Sequence, residues 1–221
     1  MRGKFITFEG GEGAGKSTHA ATLAQHLKSR GIDFVLTREP GGSAGAEIIR
    51  HIILSGIAKP LGAETETILF AAARDDHVRA TIEPALEAGK WVICDRFIDS
   101  TRVYQGALGK VDMKLIRSLE RVTIGAAIPD LTFLLDVPAN IGLARAKARR
   151  GKGTADRFES ESVQYHEDLR QAFLKLAERE PKRFVVVDGR APLAVVSERV
   201  WAAVDERLFG RDTPVVETIA P

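Results

Sequence analysis

Gly10, Gly15, Lys16 and Ser17 stand at the spacing G-x-x-x-x-G-K-S, after a β-rich run and before a helical one. Those residue types at that spacing make a cradle for phosphate. Glycines let successive backbone N–H groups converge on an anion without Cβ clashes. The start of the following helix adds partial positive charge. Lys16 supplies a cation for the β- and γ-phosphates, and the Ser17 hydroxyl a ligand for Mg²⁺. The expected ATP-binding segment is therefore Gly10, Gly11, Glu12, Gly13, Ala14, Gly15, Lys16, Ser17 and Thr18. A dinucleotide fingerprint is excluded, because Lys16 stands where the third glycine after Gly11 and Gly13 belongs.

Such a loop fixes a nucleotide but not a reaction. The guanine-reading patterns N-K-x-D and T-K-x-D are absent, which argues against a GTPase. Neither Trp91–Cys94 nor Leu131–Leu135 ends in Asp-Glu, which argues against most motor ATPases. A small-molecule kinase needs two further parts: an anion site for the acceptor, and a basic flap that excludes water. Arg38 and Arg96, each just after an apolar run, are candidates for the first. Arg145, Lys147, Arg149, Arg150, Lys152 and Arg157, around the Gly-rich stretch 151–155, are candidates for the second. Asp95 is placed to hold Mg²⁺ through water or to pair with Lys16; Asp136, similarly placed, reads as structural. His19, His26, His51, His77 and His166 show no metal-ligand spacing.

Strand-like and helix-like segments alternate around these residues. Short apolar or β-rich runs lie at 4–9, 33–37, 91–94, 131–135 and 184–187. Runs of this kind suit strands covered on both faces. Helical spacing marks 15–30, a segment from Ser43 to about Ser55, and Glu64–Ala88, where Pro84 should kink or restart the helix. Further helices are expected near 112–125, 138–149, 160–179 and 192–208, with Asp156 and Glu159 as a capping box for the third of these. Repeated βα units predict an α/β fold with a parallel sheet and right-handed crossovers. The expected organisation is one domain over residues 1–210, with a flexible lid at about 145–158 and a loose tail at 211–221.

The 221 residues are 44% apolar and 28% charged, which excludes disordered and collagen-like classes. Lys and Arg number 32 against 30 Asp and Glu, so no global charge draws the chain to nucleic acid or to an anionic membrane. No run approaches the length of a membrane span, and no targeting segment is apparent. The single cysteine, Cys94, reads as a buried strand residue in a reducing, cytoplasmic setting.

Several motifs occur together and in order: Glu9 to Thr18, Thr37 to Gly42, Leu69-Phe70 followed by Arg74, Asp95-Arg96-Phe97 followed by Ser100, Thr101, Tyr104, Gln105 and Gly106, and Pro129-Asp130 leading to Asp136. With the Arg-rich flap they cover the chain to about residue 208, and this pattern resembles the bacterial thymidylate kinases. The resemblance implies a doubly wound P-loop kinase fold, a five-stranded parallel sheet in the order 2-3-1-4-5. It implies phosphorylation of dTMP to dTDP with ATP and Mg²⁺, and a homodimer that binds neither nucleic acid nor membrane. A deoxynucleoside or other nucleotide kinase is the rival within the class. A nucleotide-hydrolysing switch protein is the rival outside it.

The resemblance also implies roles for individual residues. Arg38 and Arg96 lie near the dTMP phosphate. Phe70 stacks on thymine, Arg74 one turn later meets a carbonyl on the base edge, and Ser100, Thr101 and Gln105 add polar contacts. Tyr104 screens the sugar 2′ position, and Glu12 partners the 3′-hydroxyl or its Mg²⁺ environment unless it points to solvent. Read without the family, Phe70 is equally a core residue, and Ser100, Thr101 and Gln105 are caps or surface groups. Gly189-Arg190-Ala191 is an adenine-side loop or a plain turn. Some thymidylate kinases carry Arg where this chain has Gly13, so the catalytic cation is expected in the flap, as Arg149 or Arg150. On that reasoning Gly13→Arg would partly rescue a flap variant.

Overall fold

The computed structural model describes residues 2–151 and 157–210. The centre of the expected lid, including Lys152 and Asp156, and the expected tail 211–221 lie outside them. Five parallel strands, β1 (Phe5–Glu9), β2 (Phe34–Arg38), β3 (Trp91–Asp95), β4 (Leu131–Asp136) and β5 (Phe184–Asp188), form one sheet in the order β2-β3-β1-β4-β5. The order is the expected one. Its physical basis is legible in β1 and β4, whose residues bury both faces (Ile6 against Leu131, Phe8 against Phe133). β2 at the edge is only partly covered.

Helices cover both faces. α1 (Lys16–Ser29) buries Ala20, Leu23, Ala24 and Leu27 against the sheet beside α9 (Leu193–Val204). On the other face Phe5, Val92, Cys94 and Phe97 pack with Ile82 and Leu86. α2 (Ala44–Leu54) follows Ser43, whose hydroxyl donates to Asp76 Oδ2 at 2.6 Å and does not cap the helix.

α3 (Gly62–His77) runs on through a wide π turn, Val78–Ile82, into α4 (Glu83–Glu87). Pro84 explains the wide turn: it has no N–H to donate and its ring crowds the preceding turn, so the chain widens there and continues. α5 (Ile98–Thr101) and a second π segment, Arg102–Leu108, had no counterpart among the expected helices. α6 (Met113–Ile124) and α7 (Ala139–Arg150) fall where expected. α8 begins only at Val163 (Val163–Arg179), capped by Ser162, whose hydroxyl accepts from Tyr165 N at 3.1 Å. The capping box at Asp156 and Glu159 is therefore corrected: Glu159 instead contacts Arg149 and Arg150.

Candidate active site

The carboxyl ends of β1 and β3 lie side by side, with Phe8 opposite Asp95. β1 leads by way of α1 to the left of the sheet, and β3 leads to the right. Ligands of open α/β sheets bind at such a switch point. A cleft of about 220 Å³ opens there, lined by the loop after β1, the loop after β3, α3 and the base of the expected lid.

The loop from Gly10 to Gly15 turns on glycines with positive φ, including Gly13 at 67° and Gly15 at 97°. Lys16 is buried, and its ammonium donates to Gly10 O at 3.1 Å and Gly11 O at 2.8 Å. Burial lowers its pKa, Arg96 adds to that, and Glu12 and Asp95 oppose it. A Cβ on Gly13 would lie 1.9 Å from Gly142 O of α7. The expected rescue by Gly13→Arg is therefore ruled out, because α7 packs its backbone directly on the loop.

Asp95 accepts from the Ser17 hydroxyl and does not pair with Lys16. Two hard oxygens thus stand together beside the phosphate loop, and the described residues contain no group of three or more acidic, His or Cys side chains that could hold a metal. That donor set fits Mg²⁺, which keeps most of its shell as water and phosphate oxygen. Asp136 forms a bidentate pair with Arg170 at 2.6 and 3.0 Å, in keeping with its structural reading.

Arg96 has φ of 70°, a left-handed conformation that costs a residue with a Cβ energy and is held only where the surroundings enforce it. Its Nη2 donates to Glu12 Oε1 at 2.5 Å, and its guanidinium lies 5.2 Å from the Tyr104 ring. Burial acts against its charge, but Tyr104, Glu12, Asp95 and Glu9 raise its pKa, so it stays a cation. Glu12 is neither free in solvent nor without a protein partner. Burial pushes its pKa up, yet Arg96 and Lys16 outweigh that and hold it at about 2. Glu12 Oε1 also accepts from the Tyr104 hydroxyl at 3.4 Å.

Phe70 is half-buried on the cleft wall, with its ring 6.4 Å from that of Phe158. Phe158 in turn stands 5.4 Å, edge-on, from Tyr104. Arg74 is buried. Its Nε donates to Glu39 Oε2 at 2.8 Å and its Nη2 to Phe97 O and Thr101 Oγ1, while Nη1 makes no hydrogen bond among the described residues. Glu39 is braced from behind by His77, which also meets Thr37 Oγ1 at 2.8 Å. Gln105 donates to Glu66 at 3.0 Å, and Glu66 pairs with Arg157. Ser100 accepts from Arg96 Nη1 at 3.3 Å. Arg38 is exposed and pairs with Glu47 at 2.9 Å at the cleft edge.

At the lid base, Arg149 lines the cleft and lies 3.7 Å from Glu159, while Arg150 pairs with Glu159 without lining the cleft. Arg145 donates to Gly189 O at 2.9 Å, and Arg190 folds back on Asp188. Glu9, Glu39, His77, Glu66 and Phe158 were not among the expected site residues. Glu9 and Glu39 stand within the motifs at 9–18 and 37–42 and Phe158 is an aromatic at the end of the expected lid; Glu66 and His77 carried no signal, being buried polar groups whose partners come from distant elements.

The family model for thymidylate kinase matches residues 8–200. The chain belongs to the thymidylate kinase family. A thymidylate kinase of Bradyrhizobium sp. (strain ORS 278) is 61% identical over 208 residues, covering 94% of this chain and 92% of its own length. One from Nitrobacter hamburgensis is 56% identical over 220 residues, covering 100% of this chain and 96% of its own. The solved structure of thymidylate kinase from Ehrlichia chaffeensis superposes with a TM-score of 0.73 at 32% identity, covering 92% of this chain and 99% of that one. The five-stranded parallel sheet in the order β2-β3-β1-β4-β5 is that of the P-loop kinase fold.

Proposed function

We propose that the chain transfers the γ-phosphoryl group of ATP to dTMP, giving ADP and dTDP for nucleotide biosynthesis, with Mg²⁺ bound at Ser17 and Asp95. The observation that carries this reading is the placement of two cations, the buried Lys16 and the partly buried Arg96, at the meeting of a phosphate loop and an aromatic-walled cleft. Phosphoryl transfer asks little covalent chemistry of the protein; it asks for alignment of two anions and neutralisation of the charge between them.

Residues Gly10–Thr18 hold the ATP phosphates, and Lys16 serves the β- and γ-groups. Arg96, with Arg38 at the mouth, takes the dTMP phosphate. One of its oxygens then forms the new bond to the γ-phosphorus as the bond to the β–γ bridging oxygen breaks. Mg²⁺, when bound, neutralises phosphate charge in that transfer. Phe70 stacks on thymine between Phe158 and the cleft wall, and Arg74 offers Nη1 to the base edge. Ser100, Thr101 and Gln105 line the acceptor side. Tyr104 fills the space that a 2′-hydroxyl would need. Glu12 Oε2, which makes no hydrogen bond among the described residues, accepts the 3′-hydroxyl. Arg149, facing the cleft, supplies the catalytic cation ahead of Arg150.

We extend the proposal to one domain over 1–210 with a lid at about 145–158, to a cytoplasmic setting, and to a pair of identical chains. No described helix is long and apolar enough to cross a membrane. Ile48 of α2, Ile68 of α3 and Val122 of α6 are exposed apolar side chains that support the pairing. An acceptor panel tests the activity: ADP release should depend on dTMP. Equal release with thymidine, or without any acceptor, rejects this reading in favour of a nucleoside kinase or a hydrolytic switch.

A further inference from the structure

Glu9 closes β1 and is fully buried, and it does not line the cleft. A carboxylate in such a place needs donors, and it finds three. Oε1 accepts from Phe97 N at 2.8 Å and Ser100 N at 3.2 Å; Oε2 accepts from Ser100 Oγ at 2.7 Å. Ser100 Oγ, with its proton given to Glu9, accepts from Arg96 Nη1 at 3.3 Å. The flanking residues act on the same arginine: Arg96 N donates to Phe8 O at 2.9 Å, and Nη1 lies 3.4 Å from Gly10 O. Three consecutive residues entering the phosphate loop therefore grip the one loop that carries Arg96 in its left-handed conformation.

We propose that Glu9 is a positioning residue, which fixes Arg96 for the acceptor phosphate through Ser100 and the first turn of α5. The inference rests on the reading of Arg96 as the dTMP phosphate ligand. Glu9 ties the donor loop and the acceptor arginine to one strand end, so the spacing between the two phosphates is set by β1. A carboxylate suits this because it accepts on both oxygens; an amide of the same shape presents one acceptor and one donor.

Calorimetric binding of dTMP and of thymidine to the full chain at about pH 8, where Glu9 is ionised, separates positioning from plain structure, since only dTMP carries the phosphate. For Glu9→Gln we expect dTMP affinity to fall about tenfold or more, the scale of a hydrogen bond to a charged group. Thymidine and ATP affinities should stay within about twofold. Ser100→Ala, with Glu9 intact, should also lower dTMP affinity, and the double variant should lose little more than either single one. An unchanged dTMP affinity in both single variants, or equal losses for dTMP and thymidine in Glu9→Gln, overturns the inference. Arg96→Ala is measured alongside. If it leaves the ratio of dTMP to thymidine affinity unchanged, the phosphate reading of Arg96 fails; if it shifts that ratio while Glu9→Gln and Ser100→Ala do not, only the positioning role fails.

Discussion

Phe70 is a half-buried ring facing a cleft, and that position decides between packing and recognition. Phe70→Ala should weaken dTMP binding by ~1–3 kcal/mol, the scale of base–aromatic stacking, and leave the melting temperature and ATP affinity nearly unchanged. A large fall in melting temperature at constant dTMP affinity, read by calorimetry, would make it a core residue instead. Glu9 makes a prediction of a different kind. Burial first, then Asp99, raise its pKa from 4.5 to about 7, against Arg96 and the hydrogen bonds from Ser100 and Phe97. Lys16 and the Cys94 thiol also face it. The folded chain thus binds this proton more tightly than the unfolded one. Its contribution to stability is whole below the ordinary pKa and is lost as pH rises through about 7. Glu9→Gln does not titrate, so the melting-temperature gap between variant and parent should move in the variant's favour from about pH 5 to about pH 8. A gap that stays constant over that range contradicts the assignment. Lys16 and Ser17 were legible because the motif names them directly; Phe70 was singled out only through the family resemblance, since spacing alone leaves it equally a core residue. Glu9 and Glu39 stand in the motifs at 9–18 and 37–42, but their roles were not legible, since a buried carboxylate reveals its role only through donors that lie far away in sequence.

At the scale of elements, the strands were readable from their continuous apolar runs and the long helices from their spacing. The short α5 with its π extension was missed because Ser100, Thr101, Gln105 and Gly106 break any apolar period. The start of α8 was misplaced because Glu159 serves the lid arginines and not a cap. α7 carries the sharpest functional prediction. Arg149→Ala should lower turnover far more than Arg150→Ala, toward the ~10³-fold end of arginine-finger losses, with dTMP affinity retained. Steady-state kinetics check this. Equal, few-fold effects for both variants and their double would remove the catalytic cation from α7. Gly13→Arg is expected to disrupt the loop, since α7 leaves no room at Gly13 for any side chain.

For the whole molecule, the sheet order brings the ends of β1 and β3 together, and with them two cations that the sequence separates by 80 residues. The exposed apolar side chains of α2, α3 and α6 predict a dimer in sedimentation equilibrium, and Ile68→Asp with Val122→Asp should shift it toward monomer without loss of fold. A mass that stays monomeric for the parent at every loading concentration rejects the pairing. On the proposed reading, phosphoryl passes from the loop to the acceptor side of one cleft. Following the label from γ-labelled ATP tests it most directly. With dTMP present, the label should appear in dTDP, one for each ADP formed, and this should vanish in folded Lys16→Met. Label recovered as inorganic phosphate at a rate indifferent to dTMP would contradict the account.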